Sequence, residues 1–174
     1  MGKSFSNVYQ FKITLRDVKP PIWRRIQVPE TFTFKQLHDA IQSSMGWGGH
    51  HLHSFEMYGT EIGEGGLPEG KTYISDFFSM RDKKGVYLYD FGDNWEHGIV
   101  LEKILPKSGA TKYPTCLDGK RACPPDDCGG SWGYMELLNA LSDTEHPEHE
   151  DMTEWIGEDF DPEYFDAKNV RFHE

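Results

Sequence analysis

Two segments of the sequence place histidines among tryptophans, glycines and apolar residues, although histidine is seldom a core residue. One segment, 46–55, contains His51 and His53, and the other, 89–97, ends on His97. If both segments form β-strands, alternation of side chains puts His51 and His53 on the face that the apolar residues after them also occupy. The same alternation puts His97 on the apolar face of its own strand. Three imidazoles are therefore expected on one side of a sheet.

A divalent metal ion is the first chemistry that this pattern allows. Neutral imidazoles and carboxylates suit zinc and other divalent transition metals, and histidines two positions apart on a strand can converge on one ion. Asp90 and Asp93 lie at the expected turn between two strands and supply carboxylates. The opposing interpretation makes the histidines structural, because buried polar groups are normally hydrogen-bonded to the backbone or to nearby side chains. The candidate metal ligands are His51, His53, His97 and Asp93, with Asp90 as the alternative carboxylate.

Three cysteines give an alternative zinc site. Cys116, Cys123 and Cys128 could bind the ion, with His146 or Asp118 as the fourth ligand. Their spacing differs from the close pairs that are typical of zinc sites, so structural thiols are the simpler interpretation. Because the number is odd and no export signal is evident, we expect reduced thiols rather than disulfides.

A ligand pocket is a further possibility, because four tryptophans lie in or beside glycine- or proline-rich segments, where such side chains often line a groove. The alternative is that each tryptophan completes the core. The four are Trp23, Trp47, Trp95 and Trp132. The pocket expected from the tryptophans, histidines and aspartates together consists of Trp47, His51, His53, Asp90, Asp93, Trp95 and His97.

Hydrophobic periodicity indicates the elements that must position these residues. Alternation predicts strands, and one helix is marked by a capping box of Thr33 and Gln36 and by Gly46 after its last turn. Two more helices are expected near the end of the chain, one capped by Ser131 and one with Pro147 in its first turn. The expected strands are 8–17, 22–28, 51–58, 86–91 and 95–105, and loops are expected at 59–72 and 107–130.

The element order β-β-α-β-β-β, followed by helices, predicts an α+β fold with a mixed or antiparallel sheet and one helix packed on it. The length suits a single domain over 1–174. Within it we expect three parts: a core of sheet and helix at 1–106, an irregular connection rich in cysteine, proline and glycine at 107–130, and an acidic helical end at 131–174.

The net charge of the chain restricts the kinds of molecule that it is expected to bind. The net charge is −11, and residues 143–174 hold twelve acidic residues against Lys168 and Arg171. Because phosphate neutralisation supplies most non-specific affinity for duplex nucleic acid, direct binding to duplexes is not expected. No stretch approaches the length of a membrane-spanning helix and no secretory leader is evident, so we expect a soluble, cytoplasmic protein.

Six motifs follow one another along nearly the whole chain: Pro21–Arg25, His38 with Met45–Trp47, His51–Phe55, Tyr89–His97, Cys123–Gly130 and Asp159–Pro162. Together they resemble the plasmid pRiA4b ORF-3-like family. The resemblance implies a compact α+β domain that is found in prokaryotes, on plasmids and beside insertion sequences, and it implies no settled activity and no catalytic residues. Some relatives are labelled resolvase-like, but this chain lacks the arginine-rich cluster around an activated serine that a serine recombinase requires.

Three functions are compatible with these features. The first is a binding or interaction module whose ligand is a protein or a small molecule, with the expected pocket as its site. The second is a metal-dependent hydrolase in which His51, His53, His97 and Asp93 hold an ion that activates water. The third is an accessory protein of a mobile-element recombinase that contacts its partner through the acidic helices.

Overall fold

Seven strands form one antiparallel sheet in the computed structural model, which describes residues 3–173. The strands are β1 (Asn7–Leu15), β2 (Ile22–Pro29), β3 (His53–Met57), β4 (Thr60–Gly63), β5 (Lys84–Tyr89), β6 (Trp95–Pro106) and β7 (Thr115–Lys120). The helices are α1 (Phe34–Met45), α2 (Gly130–Ser142) and α3 (His149–Ile156), with single 3₁₀ turns at Ile74–Asp76 and Ala167–Asn169.

The spatial order of the strands is β4-β3-β5-β6-β1-β2-β7, and every pairing is antiparallel. This confirms the α+β class and settles the sheet as antiparallel rather than mixed. Residues 1, 2 and 174, which the expected single domain includes, lie outside the described residues. None of the helices in 3–173 is long and apolar enough to cross a membrane.

The first hairpin forms as its alternation predicts. Leu15 of β1 pairs with Ile22 of β2. The opposite edge of β1 pairs with β6, so β1 is an interior strand of the sheet. Phe11, Ile13 and Leu15 are fully buried on the face that α1 covers. The three side chains share this face because alternate residues of a strand point to the same side. The hydrophobic core lies on this face of the sheet.

Helix α1 confirms the predicted capping box. The Thr33 hydroxyl accepts a hydrogen bond from the Gln36 N–H, and the Gln36 side chain accepts one from the Thr33 N–H. The helix ends at Gly46, whose φ of 111° suits glycine because it has no Cβ. Arg24 of β2 is buried and donates to the Ser44 and Met45 carbonyls, which satisfies acceptors of the last helical turn.

Two strands occupy segments that were expected to be loops. β4 lies in 59–72 and pairs with β3 through a turn at Tyr58 and Gly59, both of which have positive φ. β7 lies in 107–130 and pairs with β2 across an irregular register. Glycine, aspartate and lysine are depleted in strands, so β7 forms because it pairs with the edge of β2 that β1 leaves free and not through its own propensity.

The boundaries of several other elements also differ from expectation. β1 is Asn7–Leu15 and not 8–17, and β5 is Lys84–Tyr89 and not 86–91. β3 begins at His53, which leaves His51 in the loop before it. α2 begins at Gly130 after an N-cap at Gly129 instead of Ser131. α3 begins at His149, two residues beyond Pro147.

Candidate metal centre

Three loops meet at one end of the sheet: the segment before β3, the turn between β5 and β6, and the segment before α2. The Asp90 N–H donates to the Leu52 carbonyl over 2.8 Å. The Tyr89 hydroxyl donates to Asp126 Oδ1 over 3.2 Å. Gly130, at φ 72°, packs so closely on the Asp93 carbonyl that a Cβ there would collide with it. Residues far apart in the chain thus become neighbours.

The turn between β5 and β6 fixes the orientation of Asp90. This residue has φ 64°, a left-handed conformation that aspartate tolerates better than most side chains. Its Oδ1 accepts hydrogen bonds from the N–H groups of Gly92 (3.0 Å) and Asp93 (3.3 Å). The Asp90 side chain is nine-tenths buried. Its second oxygen, Oδ2, therefore faces the loop that carries His51.

The His51 imidazole lies between two carboxylates. Its Nε2 is 3.0 Å from Asp127 Oδ1 and 3.6 Å from Asp90 Oδ2. These distances permit ion pairs, yet Nε2 is buried and forms no hydrogen bond with any group in 3–173. Both oxygens must therefore lie off the direction in which an N–H at this atom would point. The same three residues are the only histidine, cysteine or acidic set in the described chain whose ligand atoms all lie within 4.8 Å of one another.

Asp93 has a different task from the one that its position in the sequence suggested. Its Oδ2 accepts a hydrogen bond from the Gly129 N–H over 3.2 Å, at the start of α2. The carboxylate stabilises that helix end, because the first N–H groups of a helix lack internal partners and carry partial positive charge. The structure places Asp93 at the helix end and not among the atoms that converge on His51.

His97 is a core residue on β6. Its Nδ1 donates to the Tyr87 carbonyl (3.3 Å), and its Nε2 accepts from Trp47 Nε1–H (3.4 Å). Both ring nitrogens are therefore engaged by the protein. Burial lowers the pKa of His97 to about 4, so the ring is neutral at physiological pH. Trp47 and Trp95 are also buried, with ring centroids 5.1 Å apart.

His53 belongs to a separate polar network. Its ring stacks on that of His38 with centroids 3.4 Å apart, and its Nε2 is hydrogen-bonded to Glu69. His38 Nδ1 contacts the Tyr87 hydroxyl over 2.6 Å. Burial, together with His53 and a lysine nearby, lowers the pKa of His38 to about 3. The network is a satisfied internal arrangement beneath β3.

The residues of the expected pocket are thus divided among four places. Trp47, Trp95 and His97 are in the core, and His53 is in the network with His38. Asp93 is at the end of α2, and the loop cluster keeps only His51 and Asp90. Of the expected metal ligands, His51 and the alternative carboxylate Asp90 belong to the converging set, and His53, His97 and Asp93 do not.

The cysteines do not converge. The three thiols are free, and they are not part of any set of three ligand atoms within 4.8 Å in residues 3–173. Burial raises the pKa of Cys116 to about 11 and that of Cys128 to about 12, and it raises the pKa of Cys123 well above its ordinary value. Thiols with raised pKa values are poor nucleophiles, because the thiolate is the reactive form.

Comparison with known proteins identifies the family of this chain. A family model described as plasmid pRiA4b ORF-3-like protein matches residues 7–169. The chain belongs to the plasmid pRiA4b ORF-3-like family. It is 39% identical over 160 residues to the uncharacterized protein y4hQ of Sinorhizobium fredii (strain NBRC 101917 / NGR234), a match that covers 87% of this chain and 82% of that one.

A crystal structure shares the fold. The protein of unknown function MM3350 from Methanosarcina mazei Go1 superposes with a TM-score of 0.94 at 50% identity, and the match covers 97% of this chain and 100% of the other. Neither the family description nor these two relatives' names specify a ligand, a partner or a reaction.

Sequence reasoning about this family member missed Asp127. A signal was present: Asp126 and Asp127 stand between Cys-Pro-Pro and Cys-Gly-Gly, where proline and glycine favour an irregular loop. Two adjacent acidic residues in such a loop are free to face another loop.

Proposed function

We propose that this protein is a binding module that holds a divalent transition metal ion on His51, Asp90 and Asp127. The observation that carries this proposal is the buried Nε2 of His51, which lacks a hydrogen bond in 3–173 although two carboxylate oxygens lie 3.0 and 3.6 Å away. A buried polar atom without a hydrogen bond is costly, and a bound cation would remove that cost for the imidazole.

The spacing of the atoms supports a shared ion. Zinc lies about 2.0–2.2 Å from imidazole nitrogen and carboxylate oxygen. Two ligand atoms at those distances are about 2.8–3.1 Å apart at the right angles of an octahedral site and about 3.3–3.6 Å apart at tetrahedral angles. The His51–Asp127 distance of 3.0 Å and the His51–Asp90 distance of 3.6 Å both fall within this span.

The surroundings of the three ligands support the same proposal. Two backbone N–H groups hold Asp90 Oδ1, which leaves Oδ2 for an ion, as outer hydrogen bonds commonly do at metal sites. Asp127 is 70% exposed, so water or a ligand can reach the ion. Three protein ligands with open positions are typical of catalytic rather than structural sites. Hydrolysis by metal-activated water is therefore the reaction class that the module could support.

Elemental analysis of tag-free protein, purified without chelators, tests the proposal. We expect about one transition metal ion per chain in the wild type and less than about a tenth of that in His51→Ala and in Asp127→Asn, because two ligands hold a divalent ion poorly. The matched controls are Asp126→Asn, which changes the adjacent carboxylate, and His53→Gln, which changes another histidine of the expected set. Both controls should keep the metal.

Added metal should also stabilise the protein. At a free zinc or manganese concentration 100 times the dissociation constant, the free energy of unfolding should rise by about 2.7 kcal/mol in the wild type. Asp127→Asn should show little of this gain, and Asp126→Asn should show all of it. A wild type that contains no metal and gains no stability from either ion would contradict the proposal, as would a gain that survives in His51→Ala.

A further inference from the structure

A groove lies between α2 and α3, outside the metal ligands except for one shared residue. Its volume is about 380 Å³, and its floor is formed by Leu137 of α2 and by Met152 and Trp155 of α3. Trp155 is 51% exposed, so about half of this large apolar side chain faces solvent. The groove therefore presents apolar surface to solvent between two helices.

The rim of this groove is acidic. Asp127, Glu136 and Glu148 line it, and no lysine or arginine of the described chain does. All three acidic residues are exposed. The segment that includes α3 and continues to the end of the chain also has a large excess of acidic residues. A ligand in the groove thus meets an apolar floor and a negative edge.

We propose that this groove docks a basic, amphipathic peptide segment of a partner protein. One or two apolar side chains of the segment enter between the helices, and its lysines or arginines face the acidic rim. Charge complementarity selects this occupant, because the rim would repel nucleic acid and acidic peptides. The volume, at the lower end of the range for ligand sites, suits a short segment.

This inference does not depend on the metal ion. Asp127 contributes to both sites, but Glu136 and Glu148 keep the rim acidic when Asp127 is bound to a cation. The apolar floor contains none of the proposed metal ligands. Loss of metal and loss of peptide binding can therefore be measured separately, and failure of one proposal leaves the other in place.

Fluorescence anisotropy with a labelled octapeptide of alternating arginine and leucine tests the inference. The wild-type protein should bind this peptide, with affinity that falls as salt concentration rises. Trp155→Ala should weaken binding at least tenfold, since a central aromatic residue commonly dominates such an interface. Glu136→Gln and Glu148→Gln should each weaken it about two- to fivefold, as expected for exposed charge pairs, and these surface changes leave the core intact.

Matched controls lie on the same two helices. Trp132→Ala removes another exposed tryptophan, which is on α2 but does not line the groove, and Glu154→Gln removes a charge of α3 that is also outside it. Neither should change the dissociation constant by as much as twofold. Equal losses in Trp132→Ala and Trp155→Ala would overturn the inference. So would equal binding of an octapeptide of alternating glutamate and leucine, or competition for the groove by a second copy of the chain in sedimentation experiments.

Discussion

His51 and His53 are two residues apart, yet they occupy opposite kinds of environment. His53 stacks on His38 and is hydrogen-bonded to Glu69, so its polar atoms are engaged by the protein. The buried Nε2 of His51 faces two carboxylates without a hydrogen bond to any group in residues 3–173. His53 completes an internal network, and His51 lies where three loops meet, with a ring nitrogen that can still bind a ligand.

His97 extends this comparison to the centre of the sheet. Both of its ring nitrogens have partners, one in β5 and one in the segment after α1. Its neutral ring therefore joins three parts of the core. His97 and His51 have similar neighbours in the sequence but differ in their hydrogen bonds. A histidine whose two ring nitrogens both have hydrogen-bond partners in the protein is structural, and one with an unpartnered nitrogen can bind a ligand.

The largest expected effect is a difference in stability between two alanine variants. His97→Ala should lower the free energy of unfolding by about 3 kcal/mol or more, because it leaves a cavity and an unpaired Trp47 N–H. His51→Ala, measured with a chelator present, should change it by no more than about 1 kcal/mol, because the residue is part-exposed in a loop. Urea unfolding at pH 7 measures both. Equal losses would break the division between structural and binding histidines.

The second effect is a dependence of stability on pH. Burial lowers the pKa of His97 to about 4 and that of His38 to about 3, whereas both titrate near 6.5 in an unfolded chain. Between those values the unfolded state binds more protons, so the free energy of unfolding should fall as pH drops from about 6.5 towards 4. Each histidine contributes up to about 1.4 kcal/mol per pH unit.

Two glutamine variants test whether His97 and His38 cause this pH dependence of the free energy of unfolding. His97→Gln and His38→Gln should each reduce the slope of unfolding free energy against pH between 6 and 4.5, because glutamine does not titrate. Urea titrations at half-unit pH steps give the slope for each protein. An unchanged slope in both variants would show that other groups cause the acid sensitivity, and the neutral-histidine account of the core would be wrong.

Much of the fold could be predicted from local pattern. The alternation of β1 and the capping box at Thr33 are strong signals because each is satisfied within a few residues. β7 could not be predicted, because Thr115–Lys120 has weak strand propensity and is ordered by pairing with β2. β4 could not be predicted for a related reason, because its four residues lie in a segment rich in glycine.

The site was harder to predict than the fold. Alternation correctly put His53 and His97 beside the core, but it could not show that their partners would be Glu69 and Trp47. The loop ends at which His51 meets Asp127 are set by the sheet order and by the path of the chain after β7. Such contacts across 76 positions depend on tertiary structure and have no local signal.

The smallest expected effect concerns Asp93 and separates it from Asp90. Asp93→Ala removes the acceptor for the Gly129 N–H at the start of α2 and should lower the free energy of unfolding by about 1 kcal/mol, a typical value for a lost helix cap. Because Asp93 is not among the converging ligand atoms, metal content should remain near that of the wild type. Asp90→Asn should give the opposite result: the amide oxygen can still accept the two turn hydrogen bonds, while the ion loses a charged ligand. Urea unfolding with elemental analysis of both variants measures the two outcomes, and loss of metal in Asp93→Ala with retention in Asp90→Asn would reverse the assignment of the two aspartates.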